Sequence, residues 1–451
     1  MTKMFGKDFL FGVSISGFQF EMGDEKSIDP NTDWFAWIHD ELNQLNYVVS
    51  EDCVENGVNY WSRYEEIHKL CEECGLNSIR IGIEWSRIFP RPTFDTRSDQ
   101  LQSIADMKAV EHYREIVTDA RKKGLRVILN LNHFTLPIWL HDPIYVNRNC
   151  DFSKNGWIND KSVEEFSKYA EFCVKCFDDL CDMYSTMNEP NIVAQLGYLS
   201  RNSGFPPSIM SVEFYKKAIE NQIKAHKSAY NKMKQLTEKP VGIIYATIWY
   251  EGDESAEEAM KFANWYFLDE AMKYSDFLGA NYYTRAVVKK RKPCELNGLK
   301  ITWKTVRGFG QSCKQNSRSF DGHLTTDNGW EIYPEGLEKI LIACWQKYKK
   351  PIYITENGVA DIKDIYRPYY IVSHLSVIEK LIENGLDIKG YLHWSITDNF
   401  EWALGYSMRF GLIHVDFADG SLTPRPSYFL YSKIIEKNTA HTFKKLLEIW
   451  G

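Results

Sequence analysis

The chain contains no Asn-x-Ser/Thr acceptor and no uninterrupted apolar stretch long enough to cross a bilayer. Its first residues run straight into a strand-like segment, without a basic segment, an apolar core and a small-residue cleavage site. Together these absences predict a cytoplasmic protein. A surplus of positive charge is also missing. The 54 basic residues face 61 acidic ones, a formal net charge of −7, which excludes a general affinity for nucleic acid or anionic membrane. The 11 histidines include no His-Glu-x-x-His or other compact metal motif, so no metal is expected.

Ten cysteines are present, and Cys71-Glu-Glu-Cys74 with Cys173-Val-Lys-Cys176 could supply four zinc ligands. Their surroundings argue otherwise. Ile67, Leu70, Cys71 and Cys74 recur at helical spacing, as do Phe166, Ala170, Cys173 and Phe177, so the thiols read as small apolar members of two helix faces. Reduced, buried cysteines are the expectation.

What the chain does have is apolar and aromatic mass. Hydrophobic residues at 44% suffice for a large core, and aromatic residues at 14%, with 14 Trp and 26 Tyr, exceed what packing alone usually requires. Polar-ligand clefts, sugar clefts among them, use such rings as platforms. Eight short apolar runs, near residues 9–16, 78–84, 127–132, 184–188, 241–247, 277–281, 352–355 and 389–395, alternate with longer amphipathic stretches. That alternation predicts repeated β-α units closing into one (β/α)8 TIM barrel. Helices are expected over 58–74, 109–123, 161–181, 212–236, 256–272, 336–347 and 369–384, and after Pro426, with left-handed caps at Gly75, Gly124 and Gly385.

Insertions over 21–56, 133–160 and 283–333 follow strands one, three and six, so all three should ring one mouth. The last carries Lys289-Lys-Arg-Lys292, read as a solvated loop rather than a nucleic-acid patch. No linker, low-complexity tract or repeat interrupts the chain. Residues 1–451 are therefore expected to form a single domain, a size such a barrel can reach.

Two glutamates carry the chemistry. Glu189, in Thr186-Met-Asn-Glu-Pro190, and Glu356, in Thr355-Glu-Asn-Gly358, each lie where a strand gives way to turn-forming residues. Strand ends far apart in sequence meet at one barrel mouth, and two facing carboxylates make a glycosidase site. A charge on the apolar strand of Glu356 needs a partner, and Arg80 on the second strand is the candidate. Such a pair would hold Glu356 ionised for nucleophilic attack. Glu189 has no cation near it in sequence, which suits a group that starts protonated. Gln19, His133, Asn281, Tyr283, Trp394, Glu401 and Trp402 at or just beyond other strand ends complete a hydroxyl-reading cup over an aromatic floor.

At this point the chain resembles glycoside hydrolase family 1, the retaining β-glycosidases of (β/α)8 fold. The resemblance runs almost end to end, from Phe11-Gly-Val-Ser-Ile-Ser-Gly-Phe-Gln19 through Glu84-Trp-Ser-Arg-Ile-Phe-Pro90 and both glutamate motifs to Trp394-Ser-Ile-Thr-Asp-Asn-Phe-Glu-Trp402. Phe20-Glu-Met-Gly23, Leu140-His-Asp-Pro-Ile144 and Arg367-Pro-Tyr-Tyr370 are similar to its archaeal branch.

The likeness implies that Glu189 is the acid/base and Glu356 the nucleophile. It also implies that Gln19, His133, Asn188, Tyr283, Trp394, Glu401 and Trp402 hold the non-reducing sugar, while Arg80, Asn281 and Tyr283 support the nucleophile. The implied activity is exo-acting hydrolysis of β-D-glucosides and β-D-galactosides with no cofactor, by an enzyme able to form a homo-oligomer. A β-mannosidase or a 6-phospho-β-glycosidase of the same family, and a catalytically dead sugar-binding barrel, remain as alternatives. Phe134 departs from the many relatives with Trp after the histidine, so one sugar contact loses an indole donor.

Overall fold

A computed structural model describes residues 5–450. Eight strands form a closed barrel: β1 (Leu10–Ser14), β2 (Ser78–Gly82), β3 (Arg126–Asn130), β4 (Met183–Asn188), β5 (Val241–Ala246), β6 (Leu278–Asn281), β7 (Ile352–Asn357) and β8 (Ile388–His393). They pair in chain order, every neighbour parallel, and β8 returns to β1 through Leu10↔Gly390 and Val13↔His393. Parallel strands covered on both faces must be apolar almost throughout, which is why each run stood out in the sequence.

Alternate side chains divide the core. Phe11, Val13, Ile79, Ile81, Val127, Leu129, Ile243 and Tyr391 join the large apolar cluster that includes helix residues such as Val110, Ile116 and Phe166. Leu10, Ile128, Met183, Phe277 and Leu392 form a separate plug inside the barrel. Further along the strands the buried positions turn polar, with Arg80, Asn188, Asn281 and Glu356 among them. The polar end is the C-terminal one, where such barrels gather chemistry.

The helices begin and end for local reasons. Asp106 caps helix Met107–Lys122 by accepting from the Lys108 and Ala109 amides, and Arg121 and Lys122 sit in its last turn, against the negative end of the dipole. Gly75, Gly124 and Gly385 take positive φ of 82°, 79° and 86°, as their position after helices requires. Burial pushes the Cys71 and Cys173 thiols well up and that of Cys74 to about 12, so these are inert packing groups. Among the described residues no helix is long and apolar enough to cross a membrane.

Two stretches differ from the sequence reading. The helix expected over 256–272 is broken by a π turn at Lys261–Trp265 between Ser255–Met260 and Tyr266–Ala271. Asn264 explains the widened turn: its side chain bonds both the N–H and the C=O of Ile248, so the helix turns a polar group inward. Residues 283–333 are not loop throughout. Arg285–Leu296 and Leu299–Thr305 form an antiparallel hairpin, extended by Trp249–Gly252. Lys289 to Lys292 lie on its solvent-exposed strand, and Lys290 pairs with Glu254 at 3.0 Å; a strand wet along most of its length shows no apolar alternation to find.

Candidate active site

Glu189 follows β4 and begins helix Pro190–Tyr198, with Pro at the first helical position. Its backbone is left-handed, φ 48° and ψ 52°, a conformation that costs a non-glycine residue about 1 kcal/mol or more. The Glu189 N–H donating to Ile244 O of β5 at 2.9 Å helps hold it there. Glu356 is the penultimate residue of β7, opposite Asn281 of β6 in the ladder. The strand thus runs two residues beyond the expected end, and Glu356 is fixed by sheet rather than loop.

Around Glu356 both carboxylate oxygens are taken by donors. The Arg80 guanidinium bonds Oε1 and the Tyr283 hydroxyl donates to Oε2 at 2.7 Å, the environment of an acceptor-only, ionised group. Arg80 is fully buried inside β2 and also donates to Asn188 Oδ1 at 3.0 Å. Removing either member of such a pair would strand a buried charge.

Glu189 stands in different surroundings. Asn281 Nδ2 donates to its Oε1 at 2.7 Å and to Asn188 Oδ1 at 3.1 Å, while Thr355 Oγ1 donates to Asn281 Oδ1 at 2.7 Å and so fixes which way the amide faces. Burial, and then the charge of Glu356, push the Glu189 carboxyl up to about 8; the Asn281 hydrogen bond and the Arg80 charge oppose them. At neutral pH one carboxyl of the pair keeps its proton and the other is held by a cation. Such a split in environment separates an acid from a nucleophile.

The cup follows. Ser16 Oγ donates to Gln19 Oε1 at 2.8 Å, and Gln19 Nε2 donates to Asn399 Oδ1 at 3.0 Å, Phe400 O at 3.1 Å and Glu401 Oε2 at 3.4 Å. Burial and the Glu356 charge push Glu401 up to about 8, against the Gln19 contact. The His133 ring stacks near Trp394 (centroids 5.9 Å, planes 21° apart) and near Trp402 (5.8 Å, 17°). Burial and the Arg80 charge keep it neutral, and Asn188 Nδ2 donates to its Nε2 at 3.2 Å. Phe134 packs against Trp402 and Phe205 in the apolar cluster beneath.

The residues the sequence offered as acid/base, nucleophile, supporting groups and cup therefore gather at the same end of the barrel. The sequence reading missed Ser16, Thr355 and Asn399, which orient the amides of Gln19 and Asn281. All three fell inside stretches already marked by motif, but nothing in the sequence shows which side chain each would meet. Within the 283–333 insertion, Asp321, His323 and Glu331 present the one compact group of possible metal ligands found among the described residues. A cation already serves it, since Arg285 Nη2 bonds Asp321 and reaches Glu331 Oε1 at 2.7 Å.

The family model for glycosyl hydrolase family 1 matches residues 1–275 and 268–440. The β-galactosidase of Saccharolobus solfataricus is 42% identical over 470 residues, covering 95% of this chain and 94% of the relative; that of Sulfolobus acidocaldarius is 41% identical, covering 96% and 95%. Among solved structures, Fpglu1 from Fervidobacterium pennivoraus superposes with a TM-score of 0.96 at 46% identity, over 98% of each chain. The β-glycosidase of the hyperthermophile Thermosphaera aggregans gives 0.94 at 39% identity, over 99% of this chain and 100% of its own. The chain is a glycoside hydrolase and belongs to glycosyl hydrolase family 1.

Proposed function

We propose that this chain is an exo-acting β-glycosidase that removes terminal β-D-glucosyl and β-D-galactosyl residues with retention, Glu189 serving as acid/base and Glu356 as nucleophile. The observation that carries the reading is the contrast between the two carboxyls: Glu356 paired with Arg80 and Tyr283, Glu189 pushed up to about 8. In the first step a Glu356 oxygen bonds to the anomeric carbon while the glycosidic C–O bond breaks and Glu189 gives its proton to the departing oxygen. Esterification removes the Glu356 charge that had raised Glu189, so Glu189 becomes easier to ionise. As a carboxylate it then takes a proton from the water that attacks the anomeric carbon, and Glu356 is released.

Glu401, Gln19, Asn188, His133, Trp394 and Trp402 would grip the non-reducing sugar. A protonated Glu401 can both donate to and accept from a 4-hydroxyl in either orientation, which suits glucose and galactose alike. A mannoside would meet the same cup. The remaining expectations belong to the same reading: one catalytic domain, no cofactor, a cytoplasmic location, and a homo-oligomer, in keeping with solved β-glucosidase mutants, one derived from a tetrameric structure and one forming a dodecamer in the crystal.

The test is Glu356→Ala. Turnover of an aryl β-glucoside should vanish, and azide should restore part of it by entering the vacated space and yielding the α-glycosyl azide. Near-native activity without any added anion would remove Glu356 from the nucleophile role.

A further inference from the structure

The Glu84-Trp-Ser-Arg-Ile-Phe-Pro90 motif is absorbed by none of the roles above, yet its first residue is a buried carboxyl two positions past the end of β2. Burying a carboxyl is costly unless its oxygens are met. Phe18 N–H donates to Glu84 Oε1 at 2.9 Å, and Thr135 Oγ1 donates to Oε2 at 2.6 Å. Phe18 immediately precedes Gln19. Thr135 closes a tight turn on His133, its N–H donating to His133 O at 2.9 Å, while Asn132 Nδ2 donates to Thr135 O at 2.7 Å. Between them Phe134 is held at φ 72°.

One side chain just beyond β2 thus ties the segment that leaves β1 to the segment that leaves β3. The approach is close. A Cβ added to Gly17 would lie 2.5 Å from Glu84 Cγ and Oε1, so the glycine makes room for the carboxyl. Glu84 is itself anchored, its N–H donating to the Tyr113 hydroxyl at 3.0 Å, and Tyr113 donates onward to Glu21 Oε1 at 2.7 Å. Burial and the neighbouring Glu21 charge push the Glu84 carboxyl up to about 8, against the bonds from Thr135 and Phe18.

We propose that Glu84 is a positioning residue for the reaction, setting Gln19 and His133 at the spacing from which they read the sugar hydroxyls, without touching substrate itself. The proposal rests on the reading of Gln19 and His133 as sugar-binding residues. An ångström of misplacement in such a pair costs about 10²-fold in rate.

The experiment compares kcat/KM on an aryl β-glucoside and on its 3-deoxy and 4-deoxy analogues. Glu84→Ala should lose about 10²-fold on the parent sugar and markedly less on the analogues, which lack the hydroxyls being read. Glu84→Gln should stay within about threefold of wild type, because its amide oxygen can accept from Phe18 N–H and its amide nitrogen can donate to Thr135. Thr135→Val, which removes one of the two bonds, should show a smaller loss with the same dependence on hydroxyls; it carries the test if Glu84→Ala does not fold. An equal loss on all three substrates, or a Glu84→Gln as impaired as Glu84→Ala, overturns the proposal. Gln19→Ala is the control: a loss that ignores the deoxy substitutions refutes the sugar-reading role itself, whereas the expected dependence in that variant beside a uniform loss in Glu84→Ala refutes only the role of Glu84.

Discussion

Asn281→Ala separates the two carboxyls experimentally. The amide of Asn281 donates to Glu189 Oε1 at 2.7 Å and so favours its ionised form, holding its carboxyl below where burial and Glu356 would otherwise push it. A hydrogen bond to a charged group contributes about 1.5–3 kcal/mol, which at 1.36 kcal/mol per unit sets a ceiling of roughly one to two pKa units. Because the same nitrogen also serves Asn188 Oδ1 at 3.1 Å, the lower end applies.

Protonated Glu189 is the competent form for breaking the glycosidic bond, so the alkaline limb of kcat/KM should lie near 8 in the wild type. Removing the donor moves it upward by about one unit. The plateau will fall as well, since Asn188 loses a partner, but the position of the limb does not depend on that height. Thr355→Val, which frees the Asn281 amide to turn, should move the limb part of the way in the same direction. The assay is the pH profile of kcat/KM on an aryl β-glucoside. A limb that stays in place or moves to lower pH refutes the assigned bond or the assigned acid.

Glu189→Ala should slow substrates with poor leaving groups far more than activated aryl glycosides, and azide should accelerate release with formation of the β-glycosyl azide; equal losses on both kinds of substrate would take Glu189 out of the acid role. Glu401→Gln should cost activity yet raise stability at alkaline pH. With its carboxyl raised from 4.5 to about 8 in the fold, the native state holds a proton that the unfolded chain has lost, so stability falls as pH climbs through that window. The variant should match wild type near pH 4.5 and exceed it above pH 8 by up to a few kcal/mol in urea unfolding; a gap that does not widen with pH would contradict the buried environment of Glu401.

The eight barrel strands were legible because each is buried on both faces and must be apolar, and because Gly, Pro and Asn punctuate their ends. The same logic made Glu189 and Glu356 conspicuous, as charges at the ends of strands that otherwise avoid them. The π turn at Lys261–Trp265 and the hairpin at Arg285–Thr305 were not legible. In the first, a single Asn redirects a helix by bonding a residue 16 positions away; in the second, exposure removes the alternation on which a strand is recognised.

Sequence alone determined which residue types reach the mouth, since strand order and strand ends are local properties. Tertiary structure alone decided which partner each one meets there. Arg80 and Glu356 lie 276 positions apart, Asn281 and Glu189 92, and Gln19 and Glu401 382, so barrel closure is what brings these partners together. Two glutamates identical in chemistry come to differ because one is buried beside the other's charge, while the other is met by a guanidinium and a phenol, and that difference, on which the proposed roles of acid and nucleophile rest, exists only when the chain is folded.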